Sequence, residues 1–173
     1  MYDRILVALE GLAADDVAVD HATVLAKHES ARVTLLRVVT PAYGMEDGAK
    51  HLLMEEGSHW WHVKQQAEAN LTALQTSMES RDVPTEKNLI VGDRVEADEI
   101  IDFAAQGNFD LIVIAADDRS WWDRERRGSV ADGVYRKSTI PTLFVSSGVR
   151  RVHIAPQHHS EKDVLAGFGQ FDG

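Results

Sequence analysis

Short runs of consecutive apolar residues alternate along the chain with longer stretches in which apolar residues recur every three or four positions. Short apolar runs are typical of strands that are buried on both faces, and the periodic stretches are typical of helices packed on one side. The runs predict strands at residues 5–9, 32–39, 88–91, 110–116 and 142–145. The periodic stretches predict helices at residues 13–27, 48–80, 97–105 and 128–137.

The alternation of strands and helices predicts an α/β fold, with a doubly wound, five-stranded parallel sheet flanked by helices. Neighbouring parallel strands need a crossover connection, and that connection is usually a helix. We assign residues 1–146 to this domain. Residues 147–173 are polar and show little periodicity, so we expect a C-terminal tail that is weakly ordered or docked on the domain.

The fold also predicts where a ligand would bind. In open parallel sheets, ligands bind beyond the C-terminal ends of the strands, at the point where the strand order reverses. The residues at these predicted ends are Glu10, Val39 and Gly92, together with the loop that follows Ala116. We therefore expect a binding site at this edge of the sheet.

Composition excludes several kinds of function. The formal net charge of -10 argues against a nucleic-acid partner, because phosphate backbones are bound by clustered Lys and Arg. The chain has no cysteine, which excludes disulfides, thiolate metal sites and a Cys nucleophile. The longest apolar run, residues 111–116, is too short to span a membrane, and no export signal is visible. We expect a soluble cytoplasmic protein without a membrane partner.

Sequence motifs of enzymes are absent. The chain has no Gly-x-Gly-x-x-Gly, no Walker loop and no Gly-x-Ser-x-Gly. His59 and His62 lie three positions apart near Glu55 and Glu56, but no further ligand is indicated, so we predict no metal site. We expect a binding protein rather than an enzyme. An unrelated small α/β hydrolase or transferase stays open as a further class, although no nucleophile and base can be named for it.

Several segments together resemble the universal stress protein family. Residues 5–11, Ile-Leu-Val-Ala-Leu-Glu-Gly, are similar to the family's first strand, which ends in Asp-Gly. Gly92-Asp93 stands at the family's turn after strand three. Residues 110–114, 128–131 and 140–145 are similar to its final third in order and spacing. The resemblance covers residues 2–145 and implies a Rossmann-like fold.

The ATP-binding branch of that family has a phosphate loop with three glycines, written Gly, two residues, Gly, nine residues, then Gly with Ser or Thr. Counting back from Gly128-Ser129 places the two earlier glycines at Ala115 and Asp118, so two of the three are lost. Such a loop exposes backbone N–H groups to phosphate, and both Cβ atoms and the Asp118 carboxylate hinder this. Arg119, in the same loop, offers a compensating cation.

The resemblance implies a set of nucleotide contacts, if the site is retained: Glu10, Val39, Gly92, Arg119, Gly128 and Ser129. Two of these contacts have simpler explanations. Glu10 replaces the family's aspartate and can equally be a solvated carboxylate at a strand end. Gly128-Ser129 can equally be a turn and helix N-cap, which this dipeptide forms in many proteins.

From this pattern we infer a homodimeric stress-response module with a degraded nucleotide site, which acts through unknown protein partners and needs no cofactor. The alternative is an ATP-binding member that uses ATP and Mg²⁺ as a switch or slow ATPase. The resemblance implies a dimer, and we predict its interface at Thr142 and Phe144, because the last strand is apolar, follows a proline and would invite pairing at an exposed edge.

Overall fold

The computed structural model describes residues 1–11, 13–41, 55–116, 130–146 and 152–154. The strands are β1 (Arg4–Leu9), β2 (Arg32–Val39), β3 (Thr85–Val91), β4 (Leu111–Ala116), β5 (Thr142–Ser146) and β6 (Val152–Ile154). The helices are α1 (Asp15–Glu29), α2 (His59–Glu79), α3 (Glu96–Gln106) and α4 (Val130–Lys137). The predicted alternation of strands and helices is confirmed.

The strands form one sheet with the order β3-β2-β1-β4-β5-β6. The first five strands are parallel, which confirms the predicted α/β fold with a five-stranded parallel sheet. The strand order reverses beside β1, which pairs with β2 on one side and with β4 on the other. The switch point of this sheet therefore lies between the C-terminal ends of β1 and β4.

Strand β6 was not predicted. It pairs antiparallel with β5, so that Phe144 lies opposite His153, and it comes from the segment assigned to the polar tail. Its three residues, Val-His-Ile, are too few to give a strand pattern in the sequence. The division at residue 146 stays a prediction, since residues 155–173 lie outside the described part of the chain.

Two layers of helices cover the sheet. One core cluster joins Ile5 and Val7 of β1 to α1 and α2, and the other joins Leu6 and Ala8 to α3 and α4. Successive side chains of a strand point to opposite faces, so a central strand covered on both sides must be apolar at every position. This requirement explains the uninterrupted apolar run that the sequence shows in β1.

The second helix begins later than its periodicity predicts. Gly57 has a positive φ of 85°, and the side chain of Ser58 accepts a hydrogen bond from the N–H of Trp61 at 3.0 Å. This side-chain cap fixes the start of α2 at His59, whereas residues 48–54 of the predicted helix are not described. No helix in the described ranges combines the length and the apolar character needed to cross a membrane.

Strand β3 begins three residues earlier than predicted. Glu86, Lys87 and Asn88 are exposed, and β2 is the strand with which β3 pairs among the described residues. An edge strand with an exposed polar stretch has no continuous apolar run. The hydrophobic pattern therefore predicts only the second half of β3.

The residues predicted to form a dimer interface are buried within the chain itself. Thr142 and Phe144 are each 3% exposed, and the ring of Phe144 lies 6.0 Å from that of Tyr135 in an edge-to-face arrangement. The assumption that β5 has an open edge is wrong, because β6 pairs with it on the side away from β4. A dimer contact at these two residues stays a prediction.

Candidate functional site

The C-terminal ends of the parallel strands form the edge at which the sequence predicts a ligand. Glu10 directly follows β1, Val39 ends β2, and Gly92 directly follows β3. The predicted phosphate-loop residues Asp118, Arg119, Gly128 and Ser129 lie outside the described residues, so their roles stay predictions.

The turn after β1 is fixed by Asp15, in the first turn of α1. One carboxylate oxygen of Asp15 accepts the N–H of Glu10 at 3.2 Å, and the other accepts the N–H of Gly11 at 2.7 Å. Asp15 is 3% exposed, and Gly11 has a positive φ of 77° that an L-residue rarely adopts. These contacts hold the backbone that carries Glu10 at the end of β1.

Glu10 is half-buried among charges that come from several elements. Burial, followed by the nearby carboxylates of Asp15 and Glu96, raises the pKa of this carboxyl to about 7, against the opposing effect of the Arg37 guanidinium. The protonated and ionised forms of Glu10 are therefore both populated near neutral pH. The side chain can donate a hydrogen bond in one form and can only accept in the other.

Val39 and Gly92 are brought together through their backbones. The N–H of Gly92 donates to the carbonyl of Val39 at 2.9 Å. A Cβ on Gly92 would lie 3.0 Å from a carboxylate oxygen of Glu99, which Arg94 holds in an ion pair at 2.9 Å. The close packing of Glu99 therefore explains why a residue without a Cβ stands at position 92. The Val39 side chain is buried, and its carbonyl already has a partner.

Ala115 belongs to the body of β4, where it pairs with Val145 in β5. Its side chain is 5% exposed and packs in the core cluster that includes Val113 and Leu143. The interpretation of Ala115 as a residue whose Cβ blocks a phosphate loop therefore has no support in the described contacts. Its methyl group fills part of the core.

Sequence reasoning missed Arg37, which lies in β2 opposite Leu9 of β1. Its guanidinium Nη1 donates to the carbonyl of Leu9 at 3.0 Å, and a Cβ on Gly11 would lie 3.2 Å from its Nη2. The signal in the sequence is a single charged residue in the run Val-Thr-Leu-Leu-Arg-Val-Val, whose other positions are apolar apart from one threonine. The apolar pattern of this run predicts the strand but assigns no role to its cation.

The histidines considered as metal ligands contact aromatic rings instead. His59 lies 5.4 Å from Trp60 and His62 lies 5.0 Å from Trp61, both in edge-to-face geometry. In the ranges that the structure describes, no three His, Asp or Glu side chains are grouped as a metal ion would require.

The charges of the described residues at the C-terminal edge can be compared with those of a nucleotide. Among the described residues at this edge, Glu10, Asp15 and Glu96 are carboxylates and Arg37 is the cation that acts on Glu10. A hydroxyl is also present, because Thr40 donates to Glu96 at 3.4 Å. This set can hydrogen-bond a base or a sugar, but it is unfavourable for several phosphate charges.

Known proteins share both the sequence pattern and the fold. The sequence pattern of the universal stress protein family matches residues 1–146. Universal stress protein MJ0531 from Methanocaldococcus jannaschii is 28% identical over 148 residues, which is 84% of this chain and 82% of that protein.

Solved structures agree with this match. Hypothetical protein MJ0577 superposes with a TM-score of 0.67 at 21% identity, covering 84% of this chain and 96% of that one. The universal stress protein from Archaeoglobus fulgidus in complex with dAMP gives a TM-score of 0.59 at 21% identity, covering 83% of this chain and 97% of that one. At such identities, the structural likeness establishes the fold.

Proposed function

Because this chain belongs to the universal stress protein family, we propose that it is a stress-response regulatory module with a weakened nucleotide site. It acts through dimerisation and contacts with other proteins rather than through catalysis. The observation that carries the proposal is the crowding of Glu10, Asp15 and Glu96 at the C-terminal edge, where burial and these carboxylates together raise the pKa of Glu10 to about 7. Members of the family whose binding edge carries less negative charge would hold phosphates better.

The size of the electrostatic effect supports a weakened site. A carboxylate about 4 Å from a phosphate oxygen costs about 1 kcal/mol in water and about 4 kcal/mol near a protein surface of lower dielectric. Each such contact lowers affinity by between about fivefold and about a thousandfold over this range. The carboxylate that the sequence places at Asp118, where the family has a glycine, adds to this repulsion. We therefore expect ATP to bind weakly or not at all.

Isothermal titration with ATP and Mg²⁺ tests the proposal. We expect Asp118→Gly to strengthen binding by about tenfold, equivalent to about 1.4 kcal/mol, and Asp118→Asn to recover part of this. Asp3→Asn is the matched control, because it removes one negative charge at the opposite end of the sheet, where Asp3 is exposed. Low-micromolar affinity of the wild type would overturn the weakened site.

A second candidate function is a nucleotide-dependent switch or slow ATPase. The dAMP complex of the Archaeoglobus fulgidus protein favours it, since that relative shares the fold and binds an adenine nucleotide. Acid release of co-purified ligand, followed by its absorbance spectrum, separates the two functions. Adenine nucleotide at about one equivalent per chain, together with phosphate release from ATP, would favour the switch or ATPase.

The dimer is tested independently of the nucleotide. Light scattering of the full chain over a range of concentrations should give the mass of two chains, and a constant monomer mass would contradict this part of the proposal. Phe144→Lys is unsuitable as an interface variant, because the charge would enter a buried site in the chain itself.

A further inference from the structure

A cavity of about 160 Å³ lies between the C-terminal ends of β1 and β2 and the middle of α2. Its polar lining comes from Arg37, Gln66 and Asn70, and its apolar lining includes Leu9, Val63 and Leu71. The nucleotide contacts suggested by the family resemblance use none of these residues.

Arg37 is unusual for its position in the sheet. It occupies the layer of β2 that also contains Val33 and Leu35, both of which are buried in the core under α1 and α2. Arg37 itself is half-buried, so its guanidinium loses part of its hydration, and this loss is unfavourable unless another group compensates it. The small size of Gly11 provides room for the guanidinium beside the turn.

The contacts of Arg37 with the described residues do not include an ion pair. Its guanidinium donates to the neutral carbonyl of Leu9. Glu10 is close enough for Arg37 to act on its pKa, which nevertheless stays at about 7, so this carboxyl is partly neutral near neutral pH. A bound anion would supply the missing partner.

Helix α2 completes the cavity. Gln66 and Asn70 are four residues apart on the same side of the helix; both are exposed and belong to the lining of the cavity, where their amide side chains offer hydrogen-bonding groups to a ligand. Val63 and Leu71 add apolar surface from the same helix. One cation, two amides and an apolar wall together match a small molecule with a single anionic group and a hydrocarbon part.

The cavity lies on the α2 side of the C-terminal edge, beside Glu10. Arg37 belongs to the layer under α1 and α2, whereas Ala8 and Val38 belong to the layer under α3 and α4. Gly92 packs against Glu99, a residue of α3. A ligand on Arg37 would therefore approach the sheet from the side of α2.

We propose that this cavity binds a small organic carboxylate, whose anionic group pairs with Arg37 while its apolar part packs against Leu9, Val63 and Leu71. Carboxylate and guanidinium match in geometry and form two parallel hydrogen bonds. A cavity of about 150 Å³ is known to hold benzene in another protein, so one aromatic ring or a short aliphatic chain fits here. Inorganic phosphate would leave the apolar wall without a partner.

Titration with benzoate, followed by amide chemical shifts, tests the proposal on the full chain. Arg37→Gln should lower benzoate affinity by about tenfold, because it removes the charge that pairs with the carboxylate. Arg32→Gln is the matched control, since Arg32 lies on the same strand but is exposed at the other end, and it should leave affinity unchanged. Benzyl alcohol, the neutral analogue, should bind more weakly than benzoate.

A second variant separates binding from folding. Ala67→Leu keeps every charge but fills the cavity from α2, and it should abolish benzoate binding even if Arg37→Gln fails to fold. Full benzoate affinity in Ala67→Leu, equal binding of benzoate and benzyl alcohol, or no benzoate binding to the wild type would each overturn the proposal. Inorganic phosphate binding at Arg37 as tightly as benzoate would overturn the organic carboxylate as the ligand class.

Discussion

The two ends of the parallel sheet use carboxylates in opposite ways. At the N-terminal end, one oxygen of Asp110 accepts the N–H groups of Asp3 at 2.8 Å and Arg4 at 2.9 Å. At the C-terminal end, Asp15 accepts two N–H groups, one on each carboxylate oxygen, but Glu10 beside it has its pKa raised to about 7 by burial and by neighbouring carboxylates. At the N-terminal end, the carboxylate is paired with backbone donors. At the C-terminal end, several carboxylates lie close together and disfavour the ionised form of Glu10.

Glu29 extends the contrast, because it lies at the N-terminal end and shows the opposite shift. Hydrogen bonds from the amino group of Met1 and from the N–H of Tyr2 lower the pKa of this carboxyl. The N-terminal end is therefore arranged for stability. At the C-terminal end, the raised pKa of Glu10 means that its ionised form is disfavoured by folding.

The largest expected effect is on the free energy of unfolding, at the N-terminal end of the sheet. Asp110→Ala should lower the free energy of unfolding by about 2 kcal/mol, because it removes a charged acceptor shared by two backbone donors. Asp110→Asn keeps one carbonyl oxygen and should lose less. Urea unfolding measures both, and a wild-type midpoint for Asp110→Ala would contradict the idea that this carboxylate ties β4 to the start of β1.

Between the two ends, Ala115 tests whether β4 or the following loop controls nucleotide affinity. Ala115→Gly should cost about 1 kcal/mol of stability, because a buried methyl is lost and a strand residue gains freedom when unfolded. It should leave ATP affinity unchanged. Tenfold tighter binding of ATP by this variant would show that the residue acts on phosphate after all.

At the charged end, Glu10→Gln should raise stability in alkaline buffer. The folded pKa of about 7 exceeds the ordinary value of 4.5, so the folded state keeps its proton where the unfolded state has released it. Wild-type stability consequently falls as pH rises from 4.5 to about 7. After allowance for partial solvent exposure, the variant should gain about 1 kcal/mol near pH 8 and little near pH 5.

Urea unfolding at both pH values measures this gain. Glu86→Gln is the control, because Glu86 is exposed on β3. A gain that is the same at both pH values would contradict the assignment of the pH dependence to Glu10.

The smallest expected effect is on nucleotide binding. Affinity for dAMP should fall as pH rises through about 7, because ionised Glu10 repels phosphate and can no longer donate a hydrogen bond. The ratio of wild-type to Glu10→Gln affinity cancels the titration of dAMP itself and should fall severalfold between about pH 6 and pH 8. A constant ratio would place the phosphate away from Glu10.

Much of this architecture could be predicted from the sequence, because burial on both faces forces a distinct pattern. The run Ile-Leu-Val-Ala-Leu before Glu10 indicates a central parallel strand, and it is the strand at which the order reverses. That pattern also placed Glu10, Val39 and Gly92 at one edge of the sheet. Strand β3 was predicted in part and β6 not at all, because edge strands are not forced to be apolar.

Only the tertiary structure decided which charges act on one another. Asp15 and Glu96 are distant from each other in sequence, yet both raise the pKa of Glu10. The sequence shows Arg37 as a charged position within a mostly apolar strand, whereas the structure places it beside Leu9, Gly11 and α2. Hydrophobic burial imposes a local pattern of apolar residues, and the sequence displays this pattern directly. Electrostatic environment depends on distances and desolvation between remote segments, and these exist only once the chain is folded.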